Sequence, residues 1–96
     1  MIIVHDIFIC KPGNASKIAK LFKEVMEGNE ELVNIMTDMT GQYHRVIIAS
    51  GFDSLAAYEE DTKNIGQTPE EKEVMDKFKD MNEMYVSGSR EIFKVW

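Results

Sequence analysis

The spacing of hydrophobic and polar positions changes several times along the chain, and each change marks an element. Between Ile2 and Cys10, apolar residues fill both alternating rows: Ile3, Ile7 and Ile9 run with His5, and Ile2, Val4, Phe8 and Cys10 run with Asp6. β-Branched and aromatic types dominate a run too short for an average helix, which predicts a strand. A strand with one face in water alternates cleanly, so this one is expected to be central and covered on both sides. Lys11-Pro12-Gly13-Asn14 reads as a turn, with Pro presetting one φ angle and Gly free to take a positive one. The period then lengthens. Ala15, Ile18, Ala19, Phe22, Val25 and Met26 recur three and four apart, predicting a helix over residues 15–27 with Gly28 as its left-handed cap.

A period of two returns in two runs that flank Thr40-Gly41-Gln42 and predict a β-hairpin. The first strand, 31–40, sets Val33, Ile35, Thr37 and Met39 against Leu32, Asn34, Met36 and Asp38. The second, 43–50, sets Tyr43, Arg45, Ile47 and Ala49 against His44, Val46, Ile48 and Ser50. Asp53 is the expected N-cap of a second helix with the stripe Leu55, Tyr58, Thr62 and Ile65. After Gly66, Thr68-Pro69-Glu70-Glu71 forms a capping box for a third helix that runs to about Met84, with Val74, Met75, Phe78 and Met81 inward. A last strand is expected over 85–96, bent or bulged near Ser87-Gly88-Ser89. The order is strand-helix-strand twice over, meeting at the hairpin. It predicts an α+β fold: a ferredoxin-like split βαβ domain over residues 1–96, a four-stranded antiparallel sheet with its helices on one face.

Helices on one face leave the other face of the sheet bare, and here that face is too apolar for water. The least demanding cover is a second copy packed sheet to sheet about a two-fold axis, so a homodimer through the open sheet face is expected. Composition adds limits. Ninety-six residues bury roughly two thirds of their unfolded surface, enough for one modest core. A net charge of −6 argues against nucleic acid, which needs a basic patch, and against an anionic membrane surface. The lone Cys10 forms no internal disulfide, and the apolar start is too short for a signal peptide, so a cytoplasmic location is expected. The acidic clusters Glu59-Glu60-Asp61 and Glu70, Glu71 and Glu73 read as solvated helix faces, and Lys11, Lys17, Lys20 and Lys23 as a solubilising edge.

Candidate chemistry is confined to polar residues on the expected strands: His5, Asp6, Asn34, His44, Arg45, Arg90 and Glu91. His5, His44 and Arg45 are the candidate catalytic residues. Histidine suits proton transfer near neutrality, and an arginine beside it would hold a carboxylate or enolate. The competing reading makes His5 a hydrogen-bonded core residue and Arg45, Arg90, Asp6 and Glu91 cross-strand ion pairs. His5 and His44 form no local metal-ligand motif, so no metal and no cofactor are expected. Seven methionines, several on helix stripes, make either an ordinary core or an adaptable lining for an apolar ligand.

The element order over nearly the whole chain resembles the dimeric α+β barrel superfamily, and within it the NIPSNAP-like and antibiotic-biosynthesis-monooxygenase-like groups. Two local features carry the likeness: the doubled helix over Asp53 to Met84, and the closing Ser89-Arg90-Glu91-Ile92-Phe93-Lys94-Val95, similar to the Arg-Glu-Ile-aromatic ending of NIPSNAP-like chains. The resemblance implies the fold and the dimer. For activity it implies a range, from cofactor-independent oxygenases to isomerases and haem-degrading enzymes. The haem-degrading pattern needs Asn, Trp and His around a porphyrin. Here the single Trp is Trp96 and the second half of the chain holds no histidine, which argues against that branch. Two functions follow as expectations. One is a protein that binds a small apolar or aromatic ligand between sheet and helices, including an oxygenase or isomerase without a bound cofactor. The other is a non-enzymatic self-assembling or partner-binding protein. The first requires a pocket of roughly 300 Å³ or more with a histidine in its wall.

Overall fold

In the computed structural model, described here for residues 1–39, 44–63, 76, 78–79 and 81–96, one antiparallel sheet carries the chain. Its strands are β1 (Ile2–Cys10), β2 (Leu32–Thr37), β3 (Arg45–Phe52) and β4 (Tyr85–Lys94), in the order β2-β3-β1-β4. Helix α1 (Ala15–Val25) follows β1, and α2 (Leu55–Lys63) follows β3. This is the α+β ferredoxin-like arrangement. β1 is central, as its doubly apolar pattern requires, and pairs with β3 on one side and β4 on the other.

The helix side of the sheet is built in rungs that the register defines. Thr37, Val46, Phe8 and Gly88 form one; Ile35, Ile48, Asp6 and Arg90 the next; Leu32, Ser50, Val4 and Ile92 a third. Ile18 of α1 is fully buried against Cys10, Val46 and Ile48, and Phe8, Phe22, Met26, Met81 and Tyr85 close the cluster around them. Three aromatic contacts brace it: Phe8 stacks tilted on Phe22 at 5.5 Å and edge-on to Tyr85 at 5.3 Å, and Phe22 meets Phe78 at 5.0 Å. A Cβ at Gly88 would meet the Ile7 carbonyl and Phe8 at ordinary van der Waals distance.

Local chemistry accounts for the boundaries. Lys11 to Asn14 closes a turn through Asn14 N–H to the Lys11 carbonyl at 3.0 Å, with Gly13 at φ 84°. Asn14 spends its amide on the Met84 carbonyl rather than on the helix end, tying the start of α1 to the entry of β4. α1 stops at Val25, two residues short of the expected end, and Gly28 takes the positive φ of 79° one position beyond the cap it was expected to form. β3 continues through Gly51 and Phe52. The cap of α2 is therefore Ser54, whose Oγ accepts the Ala57 N–H at 3.1 Å, and Asp53 does not serve. The expected third helix falls mostly outside the described residues; Met81–Glu83 form a 3₁₀ turn, with Phe78 and Met81 packed inward.

β2 departs most from the pattern. Its alternation breaks between Leu32 and Asn34, where the register against β3 shifts by one residue. Leu32 and Ile35 therefore both face α1, while Val33 turns to the opposite side. An extra residue in one strand reverses the phase of everything before it. The bulge expected around Ser87-Gly88-Ser89 falls one residue earlier, at Val86, between the rungs of Cys10 with Tyr85 and Ile9 with Ser87.

The candidate site on two unlike sheet faces

The face turned away from the helices carries four rungs. Val33, Gly51, Ile3 and Phe93 cluster at one end; then come Asn34, Ala49, His5 and Glu91; then Met36, Ile47, Ile7 and Ser89; and Arg45, Ile9 and Ser87 at the other end. No described helix lies over it. Met1, Ile3 and Val33 close over Gly51, where an added Cβ would stand 3.0 Å from the end of the Met1 side chain. Met1, Val33, Phe93 and Val95 are all exposed there.

The three candidate catalytic residues fall on or beside this face, spread along it. His5 lies edge-on to the Phe93 ring at 5.1 Å, in the rung of Ala49 and Glu91. Arg45 sits opposite Ile9, four residues further along β1, which is roughly 13 Å away. Its Nε donates to Asp38 Oδ1 at 3.1 Å, and the other Asp38 oxygen is buried with no hydrogen-bond partner. His44 stands just before β3 at φ 62°, and its carbonyl accepts the Cys10 N–H at 2.7 Å. Arg45 and His44 are neighbours in the chain, and both lie away from His5 along the sheet. Cys10 lies in the core, where burial pushes its thiol pKa above the ordinary 9.0 and keeps it from acting as a nucleophile.

On the helix side a second polar group assembles. Asp6 and Arg90 are direct cross-strand partners, and Arg90 Nε donates to Asp6 Oδ1 at 2.6 Å. The guanidinium carbon also stands 5.7 Å from the centre of the Tyr58 ring on α2, within cation–π range. Phe52 meets the same ring edge-on at 5.1 Å. The hydrogen bond to Asp6 is the main cause that raises the Arg90 pKa; burial opposes it, and the charge of Asp6 and then Tyr58, itself a hydrogen-bond partner, add smaller upward effects. The group is thus a half-exposed cation paired to Asp6 beside the Tyr58 ring, on the helix side of the sheet. The sequence supplied Asp6 and Arg90 as candidates. Tyr58 was legible only as part of a helix stripe, because nothing local says that α2 lays it over β4.

Two open grooves flank these elements. One, about 560 Å³, runs between the end of β3 and α2, with Glu30, Glu31, Asp53, Glu60 and Asp61 along it. The other, about 520 Å³, lies under the end of α1, between Lys20, Lys23, Met26 and Leu32. Neither has His5, His44 or Arg45 in its wall.

The fold is one that NIPSNAP proteins and antibiotic-biosynthesis-monooxygenase-like proteins share. An uncharacterized NIPSNAP domain protein from Burkholderia xenovorans superposes with a TM-score of 0.81 at 9% identity, over 100% of this chain and 95% of its own. A NIPSNAP family protein of unknown function from Agrobacterium tumefaciens gives 0.77 at 18% identity, over 99% and 87%. An antibiotic-biosynthesis-monooxygenase-like protein from Deinococcus radiodurans gives 0.61 at 15% identity, over 100% and 93%. No protein-family model matches the chain, and no curated protein matches it in sequence. No described helix is long and apolar enough to cross a membrane.

Proposed function

We propose that this protein works as a homodimer joined through the bare sheet face and binds a small apolar or aromatic ligand on the opposite side, between sheet and helices. The observation that carries the reading is the contrast between two faces of one sheet. The bare face carries Val33, Ile3, Phe93, Ala49, Met36, Ile47, Ile7 and Ile9, with Asn34, His5, Glu91, Ser89, Arg45 and Ser87 set among them. The helix face holds the polar Asp6–Arg90–Tyr58 group among aromatic rings. Apolar area of this kind favours a partner, and the symmetric partner is a second copy. His5 then lies inside the interface beside Phe93, and His44 and Arg45 lie at its β2–β3 end. The buried, unpartnered Asp38 oxygen supports the same reading, since a donor from the second copy would relieve its desolvation cost. This division assigns binding to the helix side and assembly to the other.

The mass in solution tests the dimer. Light scattering at micromolar concentration is expected to give the mass of two chains. Ile47→Glu, which puts a charge at the centre of the face, is expected to give one chain with an unchanged circular dichroism spectrum. A wild-type protein that stays a single chain across that range would defeat the reading.

A further inference from the structure

We infer that the second copy docks about a two-fold axis running along the strands, so that β2 of each copy lies over β4 of the other and Asn34 meets Glu91 across the interface. The inference rests on the dimer half of the reading above. A two-fold that presses one sheet face onto the same face of a copy lies in the plane between them. If it runs along the strands, the order β2-β3-β1-β4 is reversed over itself and each rung meets its own counterpart. If it runs across the strands, the order is kept and the two ends of the face exchange places.

The two ends are unlike, and that separates the cases. At one end Val33 and Phe93 hold the outer corners, 49% and 45% exposed. At the other stand the Arg45–Asp38 ion pair and Ser87. An axis across the strands lays Val33 on the ion pair and Phe93 on Ser87, taking charges out of water against groups that cannot bond them. It also lays Asn34 on Met36. An axis along the strands lays Val33 on Phe93 and, at the centre, Ile47 on Ile7. On the rung between, the exposed Asn34 amide faces the exposed Glu91 carboxylate, a donor against a charged acceptor. The less complementary pairs are Met36 on Ser89 and Arg45 on Ile9. Face-packed sheets are rotated by roughly 30°, which displaces partners least near mid-face, where the Asn34 and Glu91 rung lies.

The test is a double-mutant cycle on the dimer dissociation constant, measured by sedimentation equilibrium for the full chain, Asn34→Asp, Glu91→Gln and the two combined. Thermal midpoints confirm that each variant is folded. Within one chain Asn34 and Glu91 stand three strand spacings apart, roughly 14 Å, beyond the screening length of about 10 Å at 0.1 M salt. Coupling between them therefore reports the other copy. Asn34→Asp is expected to weaken the dimer about tenfold or more, as like charges come together. In the Glu91→Gln background most of that loss should vanish. Additive losses overturn the axis and leave the dimer standing. A flexible bismaleimide gives a second readout, since Cys10 is buried and the wild type offers it no thiol. Val33→Cys mixed with Phe93→Cys is expected to cross-link. Linking of Phe93→Cys to Ser87→Cys, or of either corner variant to itself, points to another axis and overturns this one. A wild type that remains a single chain in the same centrifuge runs removes both the axis and the dimer.

Discussion

Cys10 illustrates how position alone decides what a side chain can do. Its thiol is packed with Ile18, Val46 and Ile48, and burial raises its pKa from 9.0. An acid whose folded pKa is raised holds its proton longer in the native state than in the unfolded one. Stability is then unaffected below the unfolded value and falls as pH climbs above it. The urea midpoint of the wild type should therefore drop relative to that of Cys10→Ala between neutral pH and about pH 10, with a difference that does not change with pH as the contrary result. Other residues were only partly readable. Asp6 and Arg90 stood out in the sequence as charges on strands, and they do pair, as the structural reading held. Arg45 was expected to pair in the same manner and instead meets Asp38, because the β2–β3 register brings those two together. Registry is a property of two strands, and one strand's residues do not encode it locally.

At the scale of elements, the helix stripe and the central strand were legible because each has a strong period. Ile18 lies on that stripe and is fully buried, so Ile18→Ala should cost about 2–5 kcal/mol, read as a shift in the denaturation midpoint. A loss well under 1 kcal/mol would mean that α1 is not docked as described. The phase of β2 was not legible. A strict alternation put Leu32 with Asn34 and Met36, whereas the extra residue at Val33 brings Leu32 and Ile35 to the same side. Nothing in Leu32-Val33-Asn34-Ile35 marks a bulge, since no glycine stands there. The cap of α2 slipped by one residue for a related reason. β3 keeps its ladder through Phe52, so the first residue free to cap is Ser54.

For the whole molecule, charge and shape act together. Each chain carries −6, so in the proposed dimer two copies would repel one another at long range and be held at contact by their bare faces. Added salt shortens the reach of that repulsion, to about 10 Å at 0.1 M. The dimer dissociation constant should accordingly fall as sodium chloride rises from about 20 to 200 mM, measured by sedimentation equilibrium. A constant that rises instead would mean that ion pairs, and not the apolar rungs, hold the copies. The order β2-β3-β1-β4 was foreseeable from the sequence of strands and helices; the unlike character of the two faces was only half foreseeable. The apolar excess could be counted, but which row met α1 required the packed structure.

β4 is an edge strand of ten residues, and every one after Tyr85 is exposed. Its outer backbone groups offer a ready template to any extended peptide that drifts alongside. Arg90, Glu91 and Lys94, with the irregular pairing at Val86, act as sentries against that kind of runaway polymer growth. Stripping the charges from this rim, even in variants that still fold, is expected to favour edge-to-edge growth into fibres.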